Sequence, residues 1–305
     1  AVSRALSKIG RKGAKAAPVL AATLKDSSAD VRLEILYPLY TMGTTASAAA
    51  PALIALLSDA DARVRDAATR TWGRFGAKAV GPLVAALDDK NAAVRDGALE
   101  AISAIGFNAT EAVPALIALV EGSDAHTRAV AIHTLGRIGP KAAAAVPAFM
   151  RALRHDSAEV RAGAVLALTR FGDKAAAAVP ALRNALNDKD HRVRREAAFA
   201  LSPLGVSPDV VLEPLLKALD DKDWDVRAKA HAALVALGSR TMTPLFIALR
   251  DAQNWTLRQA LIDVLNTIGP PLPSDAVAVV KTLLNHTDER VKHFATVVLK
   301  HHQGG

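Results

Sequence analysis

The chain has 305 residues, of which 51% are apolar and 4% aromatic, so alanine and aliphatic side chains supply most of the apolar content. This composition favours an all-helical protein, because small and aliphatic side chains suit close contact between helices. The absence of cysteine excludes a disulfide framework, a thiolate zinc site and a cysteine nucleophile, and it leaves the redox compartment undetermined. The formal net charge of +8 is a modest bias that permits an acidic partner.

Hydropathy and the first residues bear on the location of the chain. Charged residues or proline break every apolar stretch before it reaches the length of about 18 residues that a membrane-spanning helix requires. The opening AVSRALSKIG lacks the long apolar segment of a signal peptide and begins without Met, so we expect sequence to be missing before Ala1. We predict a soluble protein with no membrane span, and the cytoplasm is the preferred compartment.

A repeating pattern predicts a series of helical hairpins. The second helix of each unit carries an anchor residue, usually valine, that is followed by a basic residue, as in Val64 and Arg65. A good N-cap residue such as Asp61 stands three positions before every anchor, and a glycine such as Gly76 stands twelve positions after all but the last. Proline is expected near the start of the preceding first helix in most units, as at Pro51 and Pro214. In chain order the anchors are Val31, Val64, Val94, Thr127, Val160, Val193, Val226, Leu257 and Val291.

These units predict one array that covers residues 1–305. A hairpin of about thirty residues cannot bury its own apolar faces, so stacking against neighbours must supply the core. The apolar stripe of the second helix, for example Ala98, Ile102 and Ile105, fits such stacking. The predicted α-solenoid has a half repeat at 1–10 and nine hairpins at about 14–43, 47–76, 79–106, 110–139, 143–172, 176–205, 209–238, 240–269 and 275–302.

The repeats resemble a known family. Units such as AVPALRNALNDKDHRVRREAAFALSPLG and VLEPLLKALDDKDWDVRAKAHAALVALG are similar to HEAT repeats, in particular to the short phycobilisome-lyase-type variety, and the resemblance covers essentially the whole chain. It implies an all-α, right-handed superhelix in which the second helices line a concave face that usually binds partners. The motif is specific for the fold and weak for function.

The same resemblance assigns a structural role to the arginine after the anchor, which in such families pairs with an aspartate from the turn within the hairpin. Five units place that aspartate six residues earlier, and these ten residues form the predicted structural ladder: Asp26, Arg32, Asp59, Arg65, Asp89, Arg95, Asp188, Arg194, Asp221 and Arg227. Arg128, Arg161, Arg258 and Lys292 lack the aspartate. Setting aside nine cations and five aspartates lowers the charge available to a partner from +8 to +4, which disfavours nucleic acid.

Helical geometry predicts which side chains of the second helices face outward, and hairpins six to eight carry the most distinctive ones. The predicted partner-binding face consists of His191, Arg192, Arg195, Phe199, Trp224, Lys229, Trp255 and Gln259. Tryptophan and arginine are enriched at binding hot spots. The alternative is that Trp224 and Trp255, which share one register position, only cover the neighbouring turns. A secondary basic strip on the same face consists of Arg63, Arg70, Arg74, Arg137 and Arg170, and its alternative is a solvated polar surface.

Motifs for catalysis are lacking in the sequence. No Walker loop, GxGxxG, HExxH or nucleophile elbow occurs, and no two histidines are three or four residues apart, so we expect no cofactor and no metal. Among HEAT-like enzymes, the di-iron hydroxylases use His-Glu dipeptides, which are absent. We therefore predict a non-catalytic scaffold whose partner is a protein or another domain of a longer parent chain. A nucleic-acid-binding solenoid similar to alkylpurine DNA glycosylases is the second hypothesis, and a phycobilin-lyase-like subunit is the third.

Overall fold

The computed structural model describes residues 15–201 and 207–303, and all regular structure in these ranges is helical. The predicted half repeat at 1–10 lies outside the described residues. The α-helices, in chain order, are α1 (Ala17–Thr23), α2 (Ala29–Met42), α3 (Ala50–Ile54), α4 (Ala62–Phe75), α5 (Val80–Ala86), α6 (Ala92–Ile105), α7 (Val113–Gly122), α8 (Ala125–Ile138), α9 (Val146–Ala152), α10 (Ala158–Thr169), α11 (Val179–Ala185), α12 (His191–Ala200), α13 (Pro208–Ala218), α14 (Trp224–Leu237), α15 (Met242–Asp251), α16 (Trp255–Ile268), α17 (Ser274–Leu283) and α18 (Glu289–Gln303).

Each odd-numbered helix and the even-numbered helix after it form one hairpin, and local chemistry sets the ends of the second helix. The Asp61 carboxylate accepts the N–H of Arg63 at 2.8 Å and thereby caps α4, whereas Ser28 and Ser157 make no side-chain cap. The predicted closing glycines that lie in the described ranges have φ between 53° and 71°, a region that L side chains rarely adopt. Gly205 lies outside the described residues.

The start of α13 differs from the prediction. Pro214 was expected near the beginning of its helix, but α13 begins at Pro208 and places Pro214 in its interior. The expectation is wrong because Ser207 and Pro208 provide an earlier start, with proline in the first turn where its missing N–H has no partner to lose. The additional turn buries Val211 fully.

The chain divides into two compact units, with the boundary between Phe171 and Gly172. In each unit the even-numbered helices pack on one another in sequence and the odd-numbered helices form a second layer, which is the arrangement of an α-solenoid. The interior of the first unit includes Trp72 and Phe149, and that of the second includes Phe246, all fully buried. Continuity of a single array over 1–305 and its right-handed superhelix remain predictions.

Two helical stretches, 29–58 and 224–251, are long and apolar enough to cross a membrane by length and composition alone. Each stretch is interrupted where a glycine leaves the helical conformation, at Gly43 with φ 58° and at Gly238 with φ 68°. The longest α-helix in either stretch has 14 residues, so it rises about 21 Å against the roughly 30 Å thickness of a bilayer core. Neither stretch is therefore one straight spanning helix in this fold.

Candidate partner-binding surfaces

The arginine after the anchor binds the turn of its own hairpin through main-chain oxygens. The Nη1 atom of Arg65 donates to the carbonyl of Asp59 at 2.6 Å, and Arg95 donates in the same way to Asp89 at 2.8 Å. The same bond to the residue six positions earlier is made by Arg32, Arg194 and Arg227 at 2.7 to 2.9 Å. The guanidinium thus fastens the second helix to the end of the first.

The aspartate side chains of the predicted ladder have different partners. The Asp59 carboxylate accepts the N–H of Asp61 at 2.9 Å and the guanidinium of Arg32, from the preceding hairpin, at 2.8 Å. Asp221 likewise receives two hydrogen bonds from Arg194 at 2.7 and 2.8 Å. The prediction that the arginine pairs with the carboxylate of its own hairpin is therefore wrong at these two aspartates. A carbonyl accepts the bond within the hairpin, and the carboxylates of Asp59 and Asp221 join one hairpin to the next, whereas those of Asp26 and Asp89 accept an N–H of their own turn.

Two of the four units without the aspartate keep the same main-chain contact, whereas Arg128 donates to the carbonyl of Ser123 at 2.9 Å and Lys292 to the carboxylate of Glu289 at 2.6 Å. Arg161 donates to the carbonyl of His155 at 2.8 Å, and Arg258 donates to that of Ala252 at 3.0 Å. The acceptor is a backbone oxygen, so the residue type six positions earlier does not decide whether the bond forms. His155 also takes over the carboxylate's role in the turn, because its Nδ1 accepts the N–H of Ser157 at 3.0 Å.

The Arg194–Asp221 pair is the most enclosed of these inter-hairpin bridges in the second unit, with Arg194 only 5% exposed. Burial alone would raise the pKa of the Asp221 carboxyl, but hydrogen bonds from Arg194 and from the N–H of Asp223 bring that pKa below its ordinary value. The hydrogen bond to Asp221 raises the pKa of Arg194. Both groups are therefore ionised at neutral pH.

The predicted partner-binding face lies on α12, α14 and α16, which pack in that order. Three large aromatic side chains on these helices remain open to solvent: Phe199 is 41% exposed, Trp224 70% and Trp255 44%. Lys229 brings its ammonium group to 5.1 Å from the centre of the Phe199 ring, so α12 and α14 present these two side chains together. This arrangement offers apolar rings beside a cation.

The other predicted members of the face are engaged locally. Arg195 donates to Glu196 at 2.6 Å and lies 3.8 Å from the Asp225 carboxylate. The guanidinium of Arg290, which sequence reasoning did not select, lies 3.8 Å above the Trp255 ring. The guanidinium of Arg192 lies 2.8 Å from the Asp190 carboxylate, and the Gln259 amide donates to Asp263 at 2.8 Å. His191 is exposed at the start of α12. Trp224 therefore presents the largest exposed aromatic surface on this face.

The basic strip divides into two parts. Arg63 is held by the carboxylates of Asp61 at 2.7 Å and Asp30 at 3.2 Å, which makes it part of a surface ion-pair cluster. Arg70, Arg74 and Arg137 instead line a cleft of about 580 Å³ within the first unit. Arg170 is not among the residues that line this cleft, and its Cδ would lie 3.8 Å from a Cβ built on Gly136, the residue before Arg137. The cleft is also lined by polar residues that the sequence did not join to this strip, namely Tyr40, Glu100, Ser103 and His133.

We expect the stability of the first unit to depend on pH through His133. Partial burial, together with the charges of Arg170 and Arg137, lowers the pKa of His133 below its ordinary value of 6.5. The folded state therefore resists protonation more than the unfolded chain does, and stability present above the ordinary histidine range is lost as the pH falls through it. We expect His133→Gln to lose less free energy of unfolding than the unmodified protein between about pH 7.5 and pH 5.5 in urea denaturation. Equal losses would contradict this.

A larger cleft of about 1190 Å³ lies in the second unit, among the turns within hairpins six to eight. Its lining mixes acidic side chains such as Glu213 and Asp251 with basic ones such as Lys217 and Arg183, so it has no single charge preference. Within the ranges 15–201 and 207–303, no group of three or more histidine, aspartate or glutamate side chains is placed to hold a metal ion.

Comparisons with known proteins agree with this architecture. The family model described as HEAT repeats matches residues 50–125, 82–146, 113–202, 146–235 and 179–266. No curated protein matches the chain. A solved structure of Kap95p with RanGDP is similar, with TM-score 0.59 and 14% identity over 97% of this chain and 48% of that one. A chain of the Kap95:Nup1 complex has TM-score 0.59 and 14% identity over 87% of this chain and 42% of its own. This chain thus spans less than half of either, and at such identity the likeness concerns the fold.

Proposed function

The chain belongs to the HEAT repeat family, and from that premise we propose that it is a non-catalytic scaffold that binds a protein, or another domain of its own longer chain. The proposed surface is the partner-binding face on α12, α14 and α16, on what the family resemblance implies to be the concave side. The carrying observation is the row of exposed aromatic side chains, Phe199, Trp224 and Trp255, on successive packed helices.

Exposed aromatic side chains in a row support protein binding because a partner that covers them removes a large apolar area from water. Burial of accessible apolar surface contributes about 25 cal/mol per Å², and tryptophan is the residue most typical of binding hot spots. Lys229 over the Phe199 ring and Arg290 over the Trp255 ring add charged groups beside these aromatic side chains. Such a mixture of apolar centre and polar surround is typical of protein interfaces.

Charge balance on this surface favours a protein over a nucleic acid. Residues 172–305 contain 17 Lys and Arg against 15 Asp and Glu. The arginines of the face already have carboxylate neighbours, Glu196 and Asp225 for Arg195 and Asp190 for Arg192. A nucleic acid would have to displace these contacts to neutralise its phosphates. The structures of Kap95p with RanGDP and of the Kap95:Nup1 complex are precedents for protein binding by this architecture.

We expect Trp224→Ala to weaken partner binding at least tenfold, because truncation of an exposed hot-spot tryptophan removes contact area without disturbing the core. The partner is first isolated with the unmodified chain from cells that express it, then purified and titrated calorimetrically against both variants. Phe107→Ala is the matched control, since Phe107 is an exposed aromatic, at 62%, in the other unit and should leave the affinity unchanged.

The same titration separates the competing hypotheses. Equal affinity for Trp224→Ala and the unmodified chain would overturn the proposed surface. The nucleic-acid alternative predicts instead that a labelled DNA duplex binds with a steep salt dependence and loses affinity in Arg195→Ala. Bilin transfer to an acceptor protein would favour the lyase-like alternative and would also overturn a non-catalytic role.

A further inference from the structure

The cleft among α2, α4, α6 and α8 gathers cations that have few carboxylates to neutralise them. Arg70 and Arg74 stand one turn apart on α4, and Arg137 approaches from α8. Within the described part of the chain, Glu100 is the one acidic side chain that lines this cleft. Residues 15–171 as a whole carry 17 basic against 15 acidic side chains, so the cleft is a local concentration of charge on a nearly neutral unit.

Close helix packing creates this concentration. Gly73 lets α4 approach α6, because a Cβ at this position would lie 3.3 Å from the carbonyl oxygen of Ala104. Gly136 likewise lets α8 approach α10, because a Cβ at this position would lie 3.4 Å from the Cβ of Ala167. Gly73 directly precedes Arg74, and Gly136 directly precedes Arg137, so guanidinium groups from separate helices are brought beside one open space.

The guanidinium groups of this cleft lack the partners that occupy other arginines. Among the described residues, the side chains of Arg70 and Arg137 form no hydrogen bond or ion pair with a protein group, and Arg74 has only the Tyr40 ring, 5.3 Å away. Arg63, on the same helix as Arg70, has two carboxylates. Three like charges held together with one carboxylate, that of Glu100, in the lining repel one another, and an anion would relieve that repulsion.

Guanidinium groups recognise one kind of anion particularly well. Their planar fork donates two parallel hydrogen bonds to phosphate oxygens, and several forks can surround one doubly charged phosphate. The hydroxyl groups of Tyr40 and Ser103, which also line the cleft, can donate to remaining oxygens. A volume of about 580 Å³ exceeds that of a phosphate group and leaves room for the residues that flank it. The aromatic ring beside Arg74 provides an apolar contact for such a flank.

We propose that the cleft lined by Tyr40, Arg70, Arg74, Ser103, His133 and Arg137 binds a phosphorylated serine or threonine within a protein segment. A nucleic acid fits less well, because it repeats its charge along the strand and requires a continued track of cations. The positions expected to face outward in the first half of α6, α8 and α10 are instead Ala93, Ala129, Ala162 and Gly163. This site is separate from the aromatic face of residues 172–303 and does not depend on it.

The probe for this site is a fluorescein-labelled peptide library with a central phosphoserine and degenerate flanks, titrated against the full chain by fluorescence polarisation. The unphosphorylated library is the reference. We expect the phosphorylated peptides to bind at least tenfold more tightly and to be displaced by inorganic phosphate. The double variant Arg70→Gln with Arg137→Gln should lose at least tenfold in affinity, whereas Arg63→Gln should lose none.

Several results would overturn the proposal. Equal binding of the two libraries would show that the phosphate is not recognised, and tighter binding of a labelled DNA duplex would assign the cleft to nucleic acid. Equal losses in Arg63→Gln and the double variant would mean that general surface charge, and not the cleft, attracts the peptide. Circular dichroism confirms that each variant is folded. Because Trp224→Ala should retain phosphopeptide binding, failure of this proposal and failure of the aromatic surface can be told apart.

Discussion

Replacement of Arg194 by methionine is expected to lower the free energy of unfolding by about 3–5 kcal/mol, the cost typical of removing one partner from a buried ion pair. The change leaves the Asp221 carboxylate without two hydrogen bonds, and it leaves the carbonyl of Asp188 without the 2.9 Å bond from Nη1. Methionine fills a comparable length of apolar space, so the loss reports the polar contacts. Chemical denaturation of the full chain at pH 7, monitored by circular dichroism, measures it.

Two further variants test the physical reason. Arg240→Ala is the control, because Arg240 is exposed and its removal should change the free energy of unfolding by less than about 0.5 kcal/mol. Arg194→Met combined with Asp221→Asn should cost less than the sum of the two single changes, because each removes the same interaction. A loss below about 1 kcal/mol for Arg194→Met would show that this bridge is no stronger than an exposed surface pair.

Acid should weaken the same bridge. The pKa of Asp221 in the folded state lies below its ordinary value, so the contribution of the bridge is fully present above the pKa of the unfolded chain. It declines as the pH falls through the lowered pKa of the folded state. The difference between Arg194→Met and the unmodified chain should therefore shrink at strongly acidic pH.

The hairpins were predictable from sequence because their signals are local. The N-cap at Asp61 and the stop at Gly76 depend only on the chemistry of one helix, and both occur as predicted. The acceptor for the repeated arginine was not predictable from spacing. A separation of six residues brings Arg65 near Asp59, but it does not distinguish the carbonyl from the carboxylate of that residue. The Asp59 carboxylate reaches Arg32 because two hairpins stack at a suitable distance. The sequence of a single repeat does not encode that distance.

The candidate surfaces likewise include features that were predictable from sequence and features that were not. Outward-facing positions on a single helix are fixed by helical periodicity, so the exposure of Phe199 and Trp224 follows from their register. The separation of Arg63 from the other arginines of the basic strip was not visible, because it depends on Asp30 from the preceding hairpin. Tyr40 joins the cleft only because α2 packs on α4. Groups from different helices meet at distances that a single repeat does not encode.

Two glycines in the same register have opposite requirements. Gly97 and Gly163 both stand three residues after the anchor of their helix, so the sequence treats them alike. A Cβ on Gly97 would lie 2.8 Å from the Cβ and 3.0 Å from the carbonyl oxygen of Leu57, which are parts of the chain that cannot move aside cheaply. A Cβ on Gly163 would lie 3.7 Å from Ile132, an ordinary contact.

Gly97→Val is therefore expected to lower the free energy of unfolding by about 2–3 kcal/mol, since overpacking against Leu57 outweighs any gain in helix propensity. Gly163→Ala should raise the free energy of unfolding by about 0.5–1 kcal/mol, because alanine is the better helix former and has room. Urea denaturation of both variants of the full chain measures the two effects. A lower free energy of unfolding for Gly97→Val and a higher one for Gly163→Ala would support a close approach of α6 to Leu57. A higher free energy of unfolding for both variants would contradict it.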